Sequence, residues 1–327
     1  MAQSILVTGG AGYVGSHACK ALAAAGLVPV TYDNLGRGHR DAVRWGPLIE
    51  GDLHDRARLV ETMRAHGTAA VMHFAAFAYV GESVGEPALY YGNNVGGTLA
   101  LLAAMREAGV GRIVFSSTCA TYGNPDAVPI AETAPQRPVN PYGETKLAIE
   151  RALYWYGGGY GLRSVALRYF NAAGADLDGE IGENHAPETH LIPLALRAAL
   201  GQAGPLGIFG TDYPTADGTP IRDYIHVTDL ADAHVRALRH LEAGGDSAAF
   251  NLGTGRGHSV REVIAAVEAA SGRSVPRREQ PRRPGDPPEL VADPARAAAT
   301  LGWRPQHSDL PTIVTSALRW HERHPPA

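Results

Sequence analysis

The fold can be predicted from one segment near the start of the chain, Ile5-Leu6-Val7-Thr8-Gly9-Gly10-Ala11-Gly12-Tyr13-Val14-Gly15. Its apolar beginning is typical of a buried parallel strand. Gly9 permits a tight turn, Gly12 lets the backbone approach a pyrophosphate, and Gly15 packs the following helix against the strand. That helix, expected to run through residue 25, offers free N–H groups and a positive dipole end. The segment therefore predicts a dinucleotide-binding turn.

A carboxylate at the end of the second strand supports this prediction. The strand is expected over residues 28–32 and ends at Asp33, which lies 18 residues after Gly15. The carboxylate that binds an adenosine ribose is expected at a spacing of about 20 residues. An acid favours NAD over NADP, because it would repel a 2′-phosphate. Arg37 and Arg40 stand nearby and are interpreted as parts of a solvated turn.

Strand and helix patterns then alternate along the chain. Further strands are predicted at residues 48–53, 70–74, 112–115 and 165–171, and helices at 55–66 and 87–108. This rhythm predicts an α/β fold, a Rossmann-type doubly wound parallel sheet. From residue 172 the chain is rich in glycine and proline, with a short helix predicted over 192–200 and a strand over 206–209. These features predict a smaller mixed α/β substrate-binding domain.

The expected domain boundary lies near residue 171. Residues 1–171 form the predicted NAD-binding domain, and residues 172–327 form the C-terminal substrate-binding region. Strands predicted over 224–227 and 248–252 flank a helix over 230–240, so residues 223–255 are expected to return to the first domain.

Composition excludes several classes of protein. The 327 residues carry a net charge of −4, which gives no reason to expect nucleic acid or an anionic membrane as a partner. Cys19 and Cys119 are the two cysteines, so a disulfide framework is not expected. The start lacks the pattern of a signal peptide, and no run approaches 18 apolar residues. A cytoplasmic, soluble protein is expected.

A second segment, Asn140-Pro141-Tyr142-Gly143-Glu144-Thr145-Lys146, carries candidate chemistry. Tyr142 and Lys146 are four residues apart and share one face of a helix. A lysine about 5 Å away would stabilise a phenolate by roughly 3 kcal/mol at an effective dielectric of 20. An oxidised nicotinamide would add a second positive charge, and the two would bring the phenol toward the working pH. Without a dinucleotide site, the pair would be an ordinary surface pair.

Other candidates follow from strand ends. Thr118 ends the strand that begins at residue 112, where doubly wound sheets collect their chemistry, and is a candidate partner for Tyr142. Asp52 could meet the adenine amino group or cap a helix. Phe74-Ala75-Ala76 is suited to lining a cofactor. Residues 277–288 are basic and proline-rich, and are either a solvated loop or an arginine clamp for a diphosphate.

Stretches along nearly the whole chain resemble the extended short-chain dehydrogenase/reductases, and within them the UDP-glucose 4-epimerase family. The matching stretches are Gly9-Gly10-Ala11-Gly12-Tyr13-Val14-Gly15-Ser16-His17, Asp33-Asn34-Leu35, His73-Phe74-Ala75-Ala76, Val80-Gly81-Glu82-Ser83-Val84, Tyr91-Gly92-Asn93-Asn94-Val95, Ser116-Ser117-Thr118, Pro141-Tyr142-Gly143 with Lys146, Leu167-Arg168-Tyr169-Phe170-Asn171, Gly210-Thr211-Asp212-Tyr213, Arg222-Asp223-Tyr224-Ile225-His226-Val227, Asn251-Leu252-Gly253 and Arg282-Arg283-Pro284-Gly285-Asp286.

The resemblance implies a set of site residues. Beside Gly9, Gly15, Ala75, Ala76, Thr118 and Tyr142, the implied NAD contacts are Gly12, Tyr13, Val14, Asp33, Asn34, Asp52, Leu53, Phe74, Asn93, Lys146 and Phe170. The implied contacts to the UDP-sugar are Thr118, Asn171, His190, Leu191, Phe209, Arg222, Tyr224, Arg283, Asp286 and Leu290. No metal is implied, and a homodimer is expected.

The implied reaction is epimerisation at C4 of the sugar. Tyr142 removes the proton of the 4-hydroxyl, assisted by Thr118, while hydride passes to NAD⁺. The 4-keto sugar then turns about its phosphate linkage, and hydride returns to the opposite face. Dehydratases and decarboxylases of this superfamily carry an acid after the position of Thr118, where Cys119 and Ala120 stand here, so those reactions are disfavoured.

Three positions depart from parts of the family and leave the sugar open. Ala78 replaces a lysine near the cofactor, His190 replaces an asparagine beside the uracil, and Leu290 replaces a bulkier tyrosine. UDP-glucose and UDP-galactose are the expected substrates, with UDP-pentoses and UDP-N-acetylhexosamines as alternatives. A dehydrogenase/reductase that releases its cofactor and a non-catalytic dinucleotide sensor are the other classes considered.

Overall fold

The computed structural model describes residues 2–283 and 286–325. The strands, in chain order, are β1 (Ser4–Thr8), β2 (Val28–Asp33), β3 (Leu48–Glu50), β4 (Thr68–His73), β5 (Arg112–Thr118), β6 (Arg163–Tyr169), β7 (Asn171–Ala173), β8 (Leu206–Phe209), β9 (Ile221–Arg222), β10 (Tyr224–His226), β11 (Ala248–Leu252), β12 (His258–Ser259), β13 (Arg277–Gln280) and β14 (Glu289–Leu290). The helices are α1 (Tyr13–Ala24), α2 (Arg56–Ala65), α3 (Val80–Gly85), α4 (Pro87–Tyr90), α5 (Gly97–Ala108), α6 (Pro141–Tyr160), α7 (Leu191–Ala199), α8 (Val227–Glu242), α9 (Val260–Ser271), α10 (Ala295–Leu301) and α11 (Leu310–Arg323).

Seven strands form one sheet in the order β11-β6-β5-β4-β1-β2-β3. Every neighbouring pair in it is parallel. Alternate residues of β1 enter different cores: Ile5 and Val7 pack with α1 and α8, whereas Leu6 packs with α2, α5 and α6. Because side chains alternate across a strand, helices cover both faces. The prediction of a Rossmann-type doubly wound sheet is confirmed.

The rest of the chain adds three small sheets. β7 pairs with β10, β9 lies between β12 and β14, and β8 pairs with β13. The helices α7, α9 and α11 enclose a further apolar cluster that includes Leu196, Val263 and Ile313. Strand β11 pairs with β6 at the edge of the large sheet, whereas β10 pairs with β7 outside it.

Some predicted elements have different bounds. The helix predicted over 87–108 is interrupted by a π-helical turn, Tyr91–Gly96, between α4 and α5. The segment 277–288 is not only a loop, because Arg277–Gln280 forms β13. β5 extends to Thr118. Within the described part of the chain, no helix has both the length and the apolar character needed to cross a membrane.

Candidate active site

The glycine turn joins β1 to α1 at the carboxyl edge of the sheet. Gly9 has a φ of +73°, and a Cβ there would lie 2.5 Å from the Ala75 nitrogen, so another residue would be both strained and obstructed. Helix α1 begins after Gly12, which provides no side-chain cap. The N–H groups of its first turn, at Tyr13 and Val14, are therefore available to an anion. This cradle fits the pyrophosphate of a dinucleotide.

Asp33 lies beside this turn at the end of β2. Its two carboxylate oxygens accept hydrogen bonds from the backbone nitrogens of Ala11, at 3.0 Å, and Leu35, at 2.9 Å. Burial raises the pKa of Asp33, and the two backbone bonds oppose that effect. Because each carboxylate oxygen has two lone pairs, the carboxylate can still accept from ribose hydroxyls. The predicted ribose ligand is thus held against the glycine turn.

Asp52 and Asn34 lie together at the ends of β3 and β2. The Asn34 amide donates to Asp52 Oδ2 at 2.8 Å, and the His54 nitrogen donates to Asp52 Oδ1 at 2.9 Å. The backbone bond from His54 is the main cause that lowers the pKa of Asp52. The cap of α2 is Asp55 rather than Asp52, so the helix-cap interpretation of Asp52 is wrong. Asp52 remains free to face an adenine.

The other predicted cofactor residues occupy the same edge or its surroundings. The ring of Phe74 packs 4.6 Å from that of His234, and the Ala75 nitrogen donates to the Thr8 carbonyl at 3.1 Å. The Tyr13 hydroxyl donates to the Gly174 carbonyl at 2.6 Å, so its side chain fixes a neighbouring loop. The remaining predicted residues comprise the buried Leu53 and Phe170, the partly buried Ala76, and Asn93, which donates to Asn94.

Helix α6 starts at the proton-transfer segment because its sequence contains both start signals. Asn140 caps the helix by accepting a hydrogen bond from the Gly143 nitrogen at 2.9 Å, and Pro141 occupies the first turn. A Cβ on Gly143 would lie 2.6 Å from the Ala120 carbonyl oxygen. Glycine therefore lets the helix approach the end of β5, which brings Tyr142 toward Thr118.

Lys146 is the buried cation of this site. Its side chain is 3% exposed, and Nζ donates to the Ser116 carbonyl at 2.8 Å. Nζ lies 5.9 Å from the centre of the Tyr142 ring. Burial lowers the pKa of Lys146 to about 7, although the charge of Glu150 opposes that effect. The cation is thus held near the phenol by a backbone carbonyl.

The Tyr142 phenol has a pKa raised above its ordinary value, first by burial and then by the neighbouring Tyr169. Thr118 acts in the opposite direction, since its side chain interacts with the phenol and lowers the pKa. The Thr118 hydroxyl also accepts a bond from the Ala120 nitrogen at 3.2 Å. The acidification expected for Tyr142 is therefore not produced by Lys146 alone, and it needs positive charge from a ligand.

Sequence reasoning missed four residues that hold this centre. Ser83 accepts a bond from the Tyr142 nitrogen at 3.2 Å, and Ser117 donates to Glu150, one helical turn after Lys146. Asn94, in the π-helical turn, bonds both backbone groups of Phe77 and the Thr145 hydroxyl. A buried polar residue inside an otherwise regular helical pattern was the one available signal, since π turns gather at functional sites.

Several predicted substrate residues form a second group. Arg222 is paired with Asp286, and the Arg283 guanidinium lies 3.9 Å from the centre of the Phe209 ring. Burial raises the pKa of Tyr224 to about 12. Leu290 packs against a cluster that contains Phe170 and Cys119. Arg222 also acts on the pKa of Cys119, which follows Thr118. The group therefore adjoins the proton-transfer centre.

Pro284 and Gly285 of the same motif lie outside the described residues.

The three remaining substrate candidates lie on β7 and at the start of α7. The Asn171 nitrogen donates to the Asp223 carbonyl at 3.0 Å, and Leu191 is the first residue of α7. His190 Nδ1 lies 2.6 Å from Glu183 Oε1 and 3.3 Å from Glu188 Oε1. Burial opposes its protonation, but the two carboxylates raise the pKa of His190 to about 10. The sequence had not indicated these two acids.

Residues 5–253 match the NAD dependent epimerase/dehydratase family. The chain is 57% identical to a UDP-glucose 4-epimerase of Rhizobium meliloti over 321 residues, 98% of each chain. It is similar to the crystal structure of UDP-glucose 4-epimerase from Brucella ovis in complex with NAD, with a TM-score of 0.95 and 58% identity over 97% of this chain and 98% of that one.

A third similar protein carries a bound nucleotide sugar. It is a UDP-glucose-4-epimerase from Stenotrophomonas maltophila with bound NAD and formylated UDP-arabinopyranose. The TM-score is 0.95 and the identity 42%, over 98% of each chain.

Proposed function

The chain belongs to the NAD dependent epimerase/dehydratase family, and from its relatives and its site we infer that it is an NAD-dependent UDP-glucose 4-epimerase. It interconverts UDP-glucose and UDP-galactose. The observation that carries this inference is the grouping of Thr118, Tyr142 and Lys146 around the end of β5, in a sheet whose β1 leads into the uncapped glycine turn.

The cofactor residues divide the binding of NAD among them. The first turn of α1 would hold the pyrophosphate, and Asp33 would hold the adenosine ribose. Bound NAD supplies the hydride acceptor and donor for the sugar carbon. Lys146, held by the Ser116 carbonyl and 5.9 Å from the centre of the Tyr142 ring, would contact the nicotinamide ribose. A carboxylate at the ribose favours NAD over NADP, because the 2′-phosphate would be repelled.

Tyr142 acts as the base and acid at the sugar 4-hydroxyl. It takes the hydroxyl proton when the keto group forms and returns a proton when the hydroxyl is restored. The Thr118 hydroxyl lowers the pKa of the phenol and so favours the first of these transfers. The buried Cys119 thiol, whose pKa is raised to about 12, stays neutral and cannot serve as the acid or base of a dehydratase.

The nucleotide is the part of the substrate that is held firmly. The diphosphate would be bound by the positive charges of Arg222 and Arg283, and Asp286 pairs with Arg222 beside it. The rings of Phe209 and Tyr224 supply flat surfaces for the base and ribose. The sugar must be held loosely, since it turns over between the two hydride transfers. The anchors lie on β8, β9 and β10 and in the segment before β14.

The test is an equilibration assay with purified protein and no added cofactor, using UDP-glucose, UDP-N-acetylglucosamine and UDP-xylose in parallel. We expect the highest kcat/KM for UDP-glucose, because relative kcat/KM measures discrimination between sugars. Stoichiometric release of NADH during turnover would instead indicate a dehydrogenase. The UDP-arabinopyranose derivative bound to the Stenotrophomonas maltophila protein makes a pentose the second candidate substrate.

We also propose the domain division and a homodimer. Residues 1–171 hold NAD together with part of 223–255, whose β11 extends the large sheet, and the rest of 172–327 holds the UDP-sugar. Leu99, Tyr154 and Trp155 on α5 and α6 are 42%, 73% and 72% exposed, and exposed apolar groups of this size mark interfaces. Light scattering of the wild type and Trp155→Glu tests whether they hold two subunits together.

A further inference from the structure

Four side chains with metal-ligand chemistry converge in the loop between β7 and α7. They are Glu183, His185, Glu188 and His190, and each offers one ligand atom within 4.8 Å of all the others. The carboxylate side chains are nearly inaccessible, with Glu183 4% and Glu188 1% exposed. Nothing in the proposed epimerase reaction requires two buried carboxylates and two imidazoles at one point.

The spacing of the ligand atoms suits a four-coordinate ion. From Glu183 Oε1, the Nδ1 atoms of His185 and His190 lie at 3.1 Å and 2.6 Å. From Glu188 Oε1, the same two nitrogens lie at 3.9 Å and 3.3 Å. Ligands bonded to a tetrahedral Zn²⁺ at about 2.1 Å are separated from one another by about 3.4 Å. The four distances bracket that value.

Hydrogen bonds account for only part of the arrangement. His185 Nδ1 bonds Glu183 Oε1 at 3.1 Å. Although His190 Nδ1 lies close to both carboxylates, it lacks a partner in hydrogen-bond geometry among the described residues, and so does the buried Glu188 Oε2. One Nδ1 proton cannot be donated to two carboxylates at once. Two backbone nitrogens donate to Glu188 Oε1, but the nearest Arg197 nitrogen lies 3.9 Å from Glu188 Oε2, beyond hydrogen-bond distance. Buried charge that is only partly compensated is costly. A cation between the four side chains would satisfy them together.

A second acidic cluster differs from the first because a lysine lies among its carboxylates. Asp176, Asp178 and Glu180 also converge, but the ammonium of Lys20 lies 2.8, 2.8 and 2.6 Å from their oxygens. A protein cation therefore contacts all three carboxylates, and Asp178 and Glu180 are also exposed to solvent, so this cluster lacks the buried, partly compensated charge of the first. The two clusters lie in the same loop region and provide a matched pair.

We propose that Glu183, His185, Glu188 and His190 bind one structural divalent metal ion, with Zn²⁺ as the preferred ion. Two imidazoles and two carboxylates form a closed set of nitrogen and oxygen ligands suited to it. Outer hydrogen bonds orient the loop around the ligands: the Trp320 indole donates to the Glu183 carbonyl at 3.0 Å, and the Thr189 and His190 nitrogens donate to Glu188 Oε1 at 2.8 and 2.9 Å.

The ion fixes the loop that borders both halves of the site. The His185 ring lies 6.2 Å from that of Tyr13, the first residue of α1, and His39 contacts the Asn184 carbonyl at 2.8 Å. The ligand His190 precedes Leu191, at the start of α7. A metal here therefore holds the glycine turn, the loop and α7 in one arrangement. It takes no part in hydride or proton transfer.

The experiment measures metal content in the untagged full-length chain. The protein is loaded with Zn²⁺, dialysed against metal-free buffer and analysed by mass spectrometry of the elements. We expect about one Zn²⁺ per chain in the wild type and in Asp178→Asn, and at least a tenfold lower content in Glu188→Gln and His185→Ala. Circular dichroism and NAD content establish that each variant is folded.

A second measurement needs no variant. The chain reconstituted with Co²⁺ should show the visible absorption bands of a four-coordinate ion, and Zn²⁺ should displace them. Three results would overturn the proposal: a wild type that keeps no Zn²⁺ through dialysis, a folded Glu188→Gln that keeps as much as the wild type, or a Co²⁺ spectrum typical of six-coordinate, solvent-bound ion. None of these outcomes bears on whether the chain epimerises UDP-glucose, so the two proposals fail separately.

Discussion

The two lysines of the chain occupy opposite environments. Lys20 is 23% exposed and contacts three carboxylates, which raise its pKa despite the opposing effect of burial. Lys146 is almost fully buried and has no carboxylate within salt-bridge distance among the described residues, so burial lowers its pKa to about 7. Its one direct bond is to the Ser116 carbonyl.

The difference separates a structural cation from a functional one. Lys20 is neutralised by the protein and joins α1 to the loop after β7. Lys146 has no carboxylate partner among the described residues, so its charged form would be stabilised by groups that the protein does not supply, namely a phenolate and a bound nucleotide. The cluster of Glu183, His185, Glu188 and His190 is the converse case, with two buried carboxylates and, in the described part of the chain, no lysine and one arginine, Arg197, at 3.9 Å from Glu188. The following predictions test whether the charges at these sites are compensated by the protein itself or by a bound ligand.

Tyr142→Phe is expected to have the largest effect. The substitution removes the group that moves the 4-hydroxyl proton and leaves the cradle for NAD intact. Because general acid–base catalysis contributes about 10²- to 10⁴-fold, kcat should fall by that factor. The equilibration assay measures the loss, and the NAD content of the purified variant should match the wild type. Turnover near the wild-type rate would rule out Tyr142 as the base.

Some residues of the candidate active site could be predicted from the sequence, and others could not. Tyr142 and Lys146 are four apart in one helix, and the glycine turn and Asp33 fall within a single strand–helix–strand unit, so local periodicity was enough to find them. The parallel sheet followed from the same patterns. The π-helical turn at Tyr91–Gly96 was missed, because its glycines and asparagines weaken a helix without indicating which irregular conformation replaces it.

Contacts between distant segments could not be foreseen. The partner of Lys146 is a backbone carbonyl, which has no residue signature. Arg222 meets Asp286 across 64 positions, and the Lys20 carboxylates lie more than 150 positions from it. His190 was assigned to the substrate by resemblance alone. The acids beside it, Glu183 and Glu188, lie in the same loop, but an irregular loop has no periodicity that indicates which of its side chains converge.

Lys146→Met should remove a dependence of stability on pH. The folded pKa of Lys146 is about 7, below its unfolded value. Between pH 7 and about 10, the unfolded chain therefore binds a proton that the folded chain lacks, and stability rises with pH by up to about 4 kcal/mol. Urea titrations at pH 7 and 9.5 should show this gain in the wild type and its loss in the variant.

Lys20→Met is the matched control for that measurement. The pKa of Lys20 is raised on folding, so its contribution is constant below the unfolded pKa and is lost only above it. The variant is expected to be less stable than the wild type by the same amount at both pH values. A parallel response of Lys146→Met and wild type would show that Lys146 is not desolvated in the folded protein.

Removal of a bound metal tests the cluster of Glu183, His185, Glu188 and His190. If Zn²⁺ binds there, free ion at about 100 times Kd should stabilise the fold by about 2.7 kcal/mol relative to chelator-treated protein. Urea titration in the two conditions measures the difference. Glu188→Gln should abolish it, and Asp178→Asn, in the cluster that Lys20 neutralises, should retain it. An equal zinc effect in both variants would place the ion elsewhere.

Thr118→Val should have the smallest of these effects and is the most specific test of the phenol. The Thr118 side chain lowers the pKa of Tyr142, so its loss shifts the rise of kcat with pH to higher pH. At neutral pH, one pKa unit would cost about tenfold in rate. Thr118→Ser keeps the hydroxyl and the bond from the Ala120 nitrogen, and it should retain the wild-type profile. If valine leaves the profile in place, the phenol must be acidified entirely by positive charge, and Lys146 with the bound nucleotide would carry the whole effect.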